Sequence, residues 1–278
     1  MKYLRTIAVV SAISASPLLV RADQAPAPAP APAKEEAPAA AAPAEKSWSA
    51  EVGFDYFSEY IFRGVDVLDN HPVLVPHVIG KWKGFSAYYY GYYGNSTGAD
   101  RWYEEADFGV DYTRSFLKDD FLTLTGGAIW YIYPDGTSGT DTAELYGIAA
   151  INFPLLNPKV SINWDVDEFH GGYGTAGISH VFDLTKTLNL KEPMALTVTP
   201  SAQLGIDFGN ISKKTQSNVD WNDILLGLAA NLQITSQFSI HAGVQFSIAL
   251  NSVNDVYDAA GSAKGNEVVG NVGAVFTF

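Results

Sequence analysis

The chain has 278 residues, no cysteine and a formal net charge of −13 at pH 7. The absence of cysteine excludes disulfide bonds, thiolate metal sites, a cysteine nucleophile and a lipid-modified N-terminal cysteine. The acidity argues against nucleic acid as a partner, because phosphate binding needs clustered Lys and Arg. No run of 18 or more apolar residues occurs, so a membrane span would have to be built from strands.

The first 46 residues are expected to lie outside the folded domain. Residues 1–22 have the pattern of a secretory signal peptide, with Lys2 and Arg5 before an apolar body and a small-residue cleavage site at Ala22. A buried N-terminal helix is the alternative. Residues 23–46 are rich in alternating Ala and Pro, which favours an extended polyproline linker. This linker is either a periplasmic tether or a spacer without a specific role.

From residue 47 to residue 278 the sequence alternates with a period of two, which predicts strands. The first strand begins with Trp48 and is expected to continue through Gly64, before a polar turn at Asp69 and Asn70. Eleven further strands are predicted at 72–82, 85–95, 102–114, 121–133, 142–153, 159–168, 173–184, 194–208, 221–233, 237–250 and 266–278. Pro76 and Pro200 fall within strands, where the missing N–H predicts a bulge at each.

The last strand ends on Phe278 and has one largely apolar face, which is typical of the closing strand of an outer-membrane barrel. The links between strands alternate in length, although residues 183–193 are long for a turn. The sequence therefore predicts an all-β fold, a transmembrane antiparallel β-barrel of about twelve strands with short periplasmic turns and longer external loops. We expect export through the periplasm to the cell outer membrane.

One motif resembles a known family. The segment Ser58–Gly64, then Pro72, then Gly84–Tyr88, is similar to the opening of the TorF-type outer-membrane porins, whose signature is Ser-Asp/Glu-Tyr-x-Phe-Arg-Gly. The resemblance covers about three strands. The Gly-x-Trp that this family carries near the end of its third strand is replaced here by the segment 90–95. What the resemblance implies is a porin whose substrate is undefined.

Assigning the polar face inward predicts an acidic lumen. The pore-lining candidates are Glu51, Asp55, Glu59, Arg63, Glu105, Asp107, Asp111, Glu144, Asp165, Asp167 and Asp207. A carboxylate-rich passage concentrates cations and repels anions, and Glu105, Asp107, Asp165 and Asp167 are the expected filter because each pair lies on one strand. Alternatively, the acids only keep the lumen wet or pair with bases as a plug.

Size and aromatic content refine the hypothesis. Twelve strands leave a narrow interior, which inward side chains such as Tyr103, Tyr131 and Tyr146 would constrict. The tyrosines between Tyr88 and Tyr93 are expected mainly in an interfacial girdle, with stacking on sugars as the alternative.

The favoured function is passive diffusion of ions or small polar solutes through a narrow, cation-preferring channel. Its expected partners are outer-membrane lipid and the barrel-assembly machinery, which would bind the C-terminal strand; no cofactor is expected. A non-conducting outer-membrane anchor is the main alternative. A hydrolase is less favoured, because none of the five histidines accompanies a nucleophile motif.

Overall fold

A computed structural model describes residues 48–96, 101–136, 138–153, 155–211, 219–260 and 265–278. The expected signal peptide (1–22) and Ala/Pro linker (23–46) lie outside the described residues.

The described chain forms a closed antiparallel barrel of twelve strands, and this confirms the predicted fold. The strands are β1 (Trp48–Phe57), β2 (Val73–Trp82), β3 (Phe85–Ser96), β4 (Arg101–Phe116), β5 (Leu122–Ile132), β6 (Thr142–Ile151), β7 (Lys159–Asp165), β8 (Gly172–Ser179), β9 (Ala195–Phe208), β10 (Asp220–Gln233), β11 (Phe238–Ala249) and β12 (Asn266–Thr277). Each strand pairs with the next, and β8 is extended by Phe182–Asp183 against β9. Pairing of β1 with β12, from Glu51↔Thr277 to Phe57↔Asn271, closes the barrel.

The wall is polar inside and apolar outside. Along β1, Val52, Phe54 and Tyr56 are exposed, whereas the intervening Glu51 and Asp55 are buried. The same alternation runs through the other strands, so large apolar side chains form the outer surface and most buried charged groups face the interior. This arrangement is the one that a barrel needs when lipid replaces water on its outer face. Within the described residues no helix is long and apolar enough to span a membrane.

The two ends of the barrel differ in their links. We call the end with the described residues 83–84, 117–121, 152–153, 155–158, 180–194 and 234–237 the turn end; both ends of the described chain lie there. The other, the loop end, carries the described residues 58–72, 133–136, 138–141, 166–171, 209–211, 219, 250–260 and 265. The tightest turn has positive φ at both Lys83 (48°) and Gly84 (87°), which is the geometry of a two-residue hairpin turn.

The bulges expected at the two prolines are wrong. Pairing of β2 with β3 skips Pro76 but resumes at His77↔Tyr90 in the register it had before, and pairing with β1 runs straight through. Pro200 is in β9, just past the last residue of β8 that pairs with this strand. On this side its carbonyl accepts from the His180 N–H at 3.2 Å, so its missing N–H breaks no strand pairing. The register of β9 shifts instead between Leu204 and Ile206.

Two loop-end segments depart from the predicted strands and loops. β1 ends at Phe57, and the chain that was expected to extend it makes a separate small hairpin, Ile61–Phe62 against Val65–Asp66. Where a loop was expected after β11, the helix α1 spans Asn251–Ala260. Both segments pack inside the loop end, and they determine the geometry of the candidate site.

Candidate functional site

Residues 58–72, which we call the plug loop, fold into the barrel rather than away from it. The chain leaves the wall at Ser58, whose N–H donates to the Gly270 carbonyl at 2.9 Å. Phe62 and Leu68 are then completely or almost completely buried. The plug loop therefore fills the loop end of the lumen.

The tip of the plug loop is a two-residue turn. Arg63 (φ 46°) and Gly64 (φ 79°) both have positive φ, as a type I′ hairpin turn requires. Glycine is also needed for space, because a Cβ at Gly64 would lie 2.8 Å from Val253 Cγ2 of α1 and 2.9 Å from Asp223 Cβ of β10. The Arg-Gly pair of the sequence motif thus directs the chain back on itself in the lumen.

Arg63 extends from this tip to the opposite wall. Its Nη2 donates to Glu144 Oε2 on β6 at 2.7 Å, and its Nη1 donates to the Asn210 side chain. The guanidinium carbon lies 4.9 Å from the ring centroid of Tyr173 on β8 and 4.6 Å from that of Phe62. The Arg63 side chain is 0% exposed. The expectation that the first strand continues through Gly64 is wrong, because β1 has already ended at Phe57.

Further hydrogen bonds hold both partners in place. Glu144 Oε2 also accepts from the Tyr131 hydroxyl at 2.8 Å and from Asn163 Nδ2 at 3.2 Å. On the far side, Asn222 Nδ2 donates to the Arg63 carbonyl at 2.6 Å. The plug loop is therefore fastened to several strands around the lumen.

A layer of tyrosines lies beside the plug loop. Tyr60 stacks on Tyr92 with ring centroids 5.0 Å apart and meets Tyr103 edge-on at 5.8 Å. The hydroxyls of Tyr60 and Tyr103 both donate to Glu105 Oε2, the former at 3.1 Å. Inward tyrosines thus constrict the lumen and also bind its carboxylates.

The tyrosines of β3 divide between the two faces. Tyr88, Tyr90 and Tyr92 share the inward face, since they alternate with Tyr89 and Tyr93, which join through their hydroxyls at 3.1 Å on the outer face. The expected interfacial girdle therefore includes only two of these five tyrosines, Tyr89 and Tyr93. Tyr88 binds the Tyr146 hydroxyl at 3.1 Å, and Tyr146 in turn donates to Asp111 Oδ2 at 3.0 Å.

Most of the predicted acids lie on the inner wall. Glu51, Asp55, Glu105, Asp107, Glu144, Asp165 and Asp207 are buried, and Asp111 and Glu59 are half-buried. Glu59 belongs to the plug loop rather than to a strand. Asp223, which was not among the predicted pore-lining residues, is a further buried acid that accepts from the Tyr173 hydroxyl at 2.8 Å. Its inward position in the alternation of β10 was the available signal.

Two of these acids organise loops. Asp165 Oδ1 accepts from the backbone N–H groups of Asp167, Phe169 and His170 at 3.1, 2.9 and 3.2 Å. Asp207 Oδ1 likewise accepts from the N–H groups of Asn210 and Ile211. β7 ends at Asp165, so the expected second inward acid of this strand, Asp167, is instead exposed beyond the strand end. The expectation that Asp165 and Asp167 lie on one strand is therefore wrong.

A third group of acids meets two histidines near the seam between β1 and β12. Asp55 Oδ1 binds His241 Nε2 at 2.5 Å, and Asp55 Oδ2 lies 3.6 Å from His77 Nδ1. Gly53 and Gly273 leave room for the imidazoles: a Cβ at Gly273 would lie 2.4 Å from His241 Nε2. Among the described residues, no group of three or more acids and histidines is arranged to hold a metal ion.

The turn half of the lumen is lined differently. A cavity there is bordered by small or neutral polar inward side chains, with His241 at its edge: Thr197, Thr199, Ser201, Asn231, Gln245 and Asn271. The loop half therefore holds the plug loop, whereas the turn half has a polar cavity beside β9, β10, β11 and β12.

The closed wall, the outward apolar belt and the polar interior together define the class, a transmembrane β-barrel of the outer-membrane type. The family described as "Bacterial protein of unknown function (Gcw_chp)" matches residues 39–270, and the chain belongs to this family. A comparison with curated protein sequences finds no match.

Solved structures share the fold at low sequence identity. The chain is similar to one described as "KdgM porin" (10% identity, TM-score 0.52, 82% of this chain and 99% of that one). A NanC porin structure gives 10% identity and a TM-score of 0.51 over 82% of this chain and 98% of that one. The COG4313 outer membrane channel from Pseudomonas putida F1 has 10% sequence identity and a TM-score of 0.50, over 86% of this chain and 100% of that one. At this identity the likeness establishes the fold.

Proposed function

We propose that the protein is an outer-membrane channel for passive diffusion of small cations or small polar solutes, with a preference for cations. The observation that carries this proposal is the surplus of acids on the inner wall. Among the described residues, the inner wall has buried or half-buried acids at Glu51, Asp55, Glu105, Asp107, Asp111, Glu144, Asp165, Asp207, Asp223 and Glu267. The buried or half-buried bases described there are Lys81, Lys159, His77 and His241, together with Arg63 of the plug loop. Low-dielectric walls strengthen the field of such a surplus.

The narrow size supports small solutes. A twelve-stranded barrel is only modestly wider than an eight-stranded one, whose interior side chains nearly fill it. Here tyrosines and the plug loop reduce the passage further, and Tyr131 and Phe62 are 0% exposed. The porin and channel descriptions of the similar structures are consistent with this proposal.

The proposed location is the cell outer membrane, with lipid around the apolar belt. The motif resemblance to the TorF-type porins supports the same assignment, and it stays a proposal. We also propose that β12 is the strand that the barrel-assembly machinery binds. Replacing Phe278 with Asp should then leave the chain unassembled in the periplasm. Recovery of heat-modifiable barrel from this variant in normal amounts would contradict that role.

The proposed pore-lining residues do not act equally. Glu105 and Asp107 on β4 lie beside the tyrosine layer, and Glu51, Asp55 and Asp111 lie on other parts of the inner wall. Asp165, Asp207 and Glu59 contribute charge near the loop end, where Asp165 and Asp207 also hold loops. Arg63 neutralises Glu144, and Asp167 contributes only at the mouth.

The test is single-channel recording of the refolded protein in a planar bilayer, with the reversal potential measured in a salt gradient. We expect cation preference at low salt that weakens near ~1 M, where the Debye length is ~3 Å. Replacing Glu105 with Gln and Asp107 with Asn together should reduce this preference. The matched control replaces the exposed neighbours Asp167 and Glu168 with Asn and Gln. An unchanged reversal potential in the variant with both Glu105→Gln and Asp107→Asn would refute the role of these two acids in cation preference.

A non-conducting anchor remains the second candidate, and one observation favours it: the Arg63–Glu144 pair crosses the lumen. An anchor would show no conductance with the plug loop fastened and none after it is released. A channel would conduct at least in the released state. Recording the wild type and Arg63→Ala side by side therefore separates the two functions.

We do not propose a hydrolase. His241 and His77 face Asp55, and His71 Nδ1 lies near the carbonyls of Leu68 and Asp69. These histidines are thus engaged with carboxylates and backbone, whereas nucleophilic catalysis needs a histidine beside a hydroxyl or thiol.

A further inference from the structure

The cavity in the turn half of the lumen lies against four neighbouring strands, β9 to β12. It has about 510 Å³ of empty space, part of which is open to solvent. Six of its polar side chains are neutral, and His241 lies at its edge. None of the described residues that line it is tyrosine, phenylalanine or tryptophan. Its chemistry is therefore different from that of the tyrosine layer and the buried acids beside the plug loop.

Small residues make a recess between the polar side chains of this cavity. Ser201 of β9 pairs with Gly227 of β10, and Gly227 pairs with Gln245 of β11. A hydroxyl and an amide thus stand on either side of a glycine. The adjacent row has two small residues between its polar ends: Thr199, Ala229, Gly243 and Asn271. Because neighbouring strands are ~4.8 Å apart, the backbones of the polar residues in each row are separated by roughly 10–14 Å.

The two glycines also allow polar atoms to lie over the recess. A Cβ at Gly227 would be 2.6 Å from Ser201 Oγ, and a Cβ at Gly243 would be 2.5 Å from Asn271 Oδ1. Ser201 and Asn271 therefore lie across their glycine neighbours, and a side chain at either glycine would displace them. The recess and its polar floor both depend on glycine at these positions.

The polar groups of the cavity have hydrogen-bonding capacity that the described residues do not use. None of the six neutral polar side chains makes a hydrogen bond to another described residue. His241 Nε2 binds Asp55, but His241 Nδ1 is buried and has no hydrogen-bond partner among the described residues. Hydroxyl and carboxamide groups each donate and accept hydrogen bonds. They are therefore complementary to a solute whose own groups also do both.

We propose that this cavity binds a small neutral polyhydroxy solute, an open-chain polyol with several adjacent hydroxyl groups. The proposal rests on the channel function and deepens it by naming one class of polar solute for the lumen. A cation would bind more strongly to the carboxylates elsewhere on the wall, because charge-assisted contacts are the stronger ones. A sugar ring would find no aromatic side chain here for its apolar face, so an open-chain polyol fits better.

The test is a mannitol titration of the refolded full-length barrel in a detergent without a sugar headgroup, followed by NMR of its isotope-labelled side-chain amides. Mannitol should shift the side-chain signals of Gln245 and Asn271 and leave the signal of Gln237, at the turn end, unchanged. Triethylene glycol dimethyl ether is the matched probe, because it is a neutral open-chain molecule of similar mass without hydroxyl donors. At equal concentration it should give no comparable shifts.

A substitution tests whether the site lies where the structure places it. Gln245→Met keeps a similar side-chain length but removes an amide that both donates and accepts. It should weaken mannitol binding roughly tenfold, as read from the Asn271 signal. Gln237→Met makes the same change at an exposed position and is the control, with unchanged affinity expected. If Gln245→Met does not give heat-modifiable barrel, Thr199→Val is the second variant and should weaken binding roughly threefold.

The outcomes separate the site from the channel. The site is refuted if mannitol shifts neither Gln245 nor Asn271 up to its solubility limit, if the ether gives equal shifts, or if the variant keeps wild-type affinity. Binding is measured without any current. A barrel that binds mannitol but never conducts would therefore refute the channel and keep the site, whereas a conducting barrel that does not bind mannitol would refute the site alone.

Discussion

The two halves of the lumen are built from different kinds of residue. The loop half holds the plug loop, α1 and a layer of buried tyrosines, and its charges are fastened to one another, as in the Arg63–Glu144 pair. The turn half is lined by small polar side chains such as Thr199 and Ser201. The wall is continuous through both halves, so the difference arises from what the loops place inside it. Resistance to flow should therefore be concentrated in the loop half.

The largest effect is expected from releasing the plug loop. Arg63→Ala leaves Glu144 buried without its cation, which costs about 3–5 kcal/mol. The plug loop should detach and single-channel conductance should rise. Arg114→Ala removes an exposed arginine near Phe116 and is the control. It should change neither the stability nor the single-channel conductance. Equal conductance in Arg63→Ala and the wild type would mean that the plug loop does not limit flow.

The next largest effect tests the wall that both halves share. Val244 faces outward near the middle of β11, and Gln245 faces inward. Val244→Arg places a charge in lipid and should lower the free energy of unfolding by about 2–4 kcal/mol. Gln245→Arg should cost much less, because Gln245 borders the polar cavity inside the barrel rather than lipid. Urea unfolding of both variants in lipid vesicles measures the difference, and equal losses would show that the facing of β11 is reversed.

A smaller effect should appear where the histidines fill space beside Asp55. A Cβ at Gly273 would lie 2.4 Å from His241 Nε2 and 2.5 Å from Asp55 Oδ1, so Gly273→Ala should destabilise the barrel by about 1–3 kcal/mol. Gly270→Ala on the same strand is the control, since its Cβ would have no neighbour nearer than Ser58 Oγ at 4.0 Å. If both variants unfold at the same urea concentration, this part of the lumen is looser than the structure indicates.

The smallest effect concerns the contact between α1 and the plug loop. The Tyr257 hydroxyl accepts from the Asp66 N–H at 2.9 Å. Tyr257→Phe should therefore cost about 0.5–1.5 kcal/mol and speed hydrogen exchange at the Asp66 amide. Tyr56→Phe removes an exposed hydroxyl on the outer wall and serves as the control. An unchanged exchange rate at Asp66 would show that α1 does not stabilise the plug loop.

The sequence predicted the wall well because one physical rule governs it. Lipid outside and water inside require a period of two over long segments, so β9 was expected at 194–208 and is found at Ala195–Phe208. The inward placement of Asp107 and Glu144 follows from the same rule. Strand ends were harder, because Asp165 ends β7 by binding loop N–H groups that alternation does not reveal.

The contents of the lumen were harder to predict. The segment Ser58–Gly64 was predicted to continue β1, and period alone could not separate a longer strand from a hairpin. The Arg63-Gly64 pair was the usable signal, since glycine at the second turn position permits positive φ. For α1, the spacing of Val253, Val256 and Tyr257 fits one helical face. The ion pair from Arg63 to Glu144 joins distant segments and needed the closed barrel to be seen.

The point at which the plug loop leaves the wall has a consequence for folding kinetics. The seam between β1 and β12 joins the two ends of the barrel domain, and contacts so distant along the chain form slowly. The plug loop follows β1 directly, yet its tip docks on β6 and β10. Each such docking shortens the length of free chain that the final closure must bring together, which lowers its entropic cost. Arg63 is thus expected to speed closure of the seam as well as to obstruct the finished lumen.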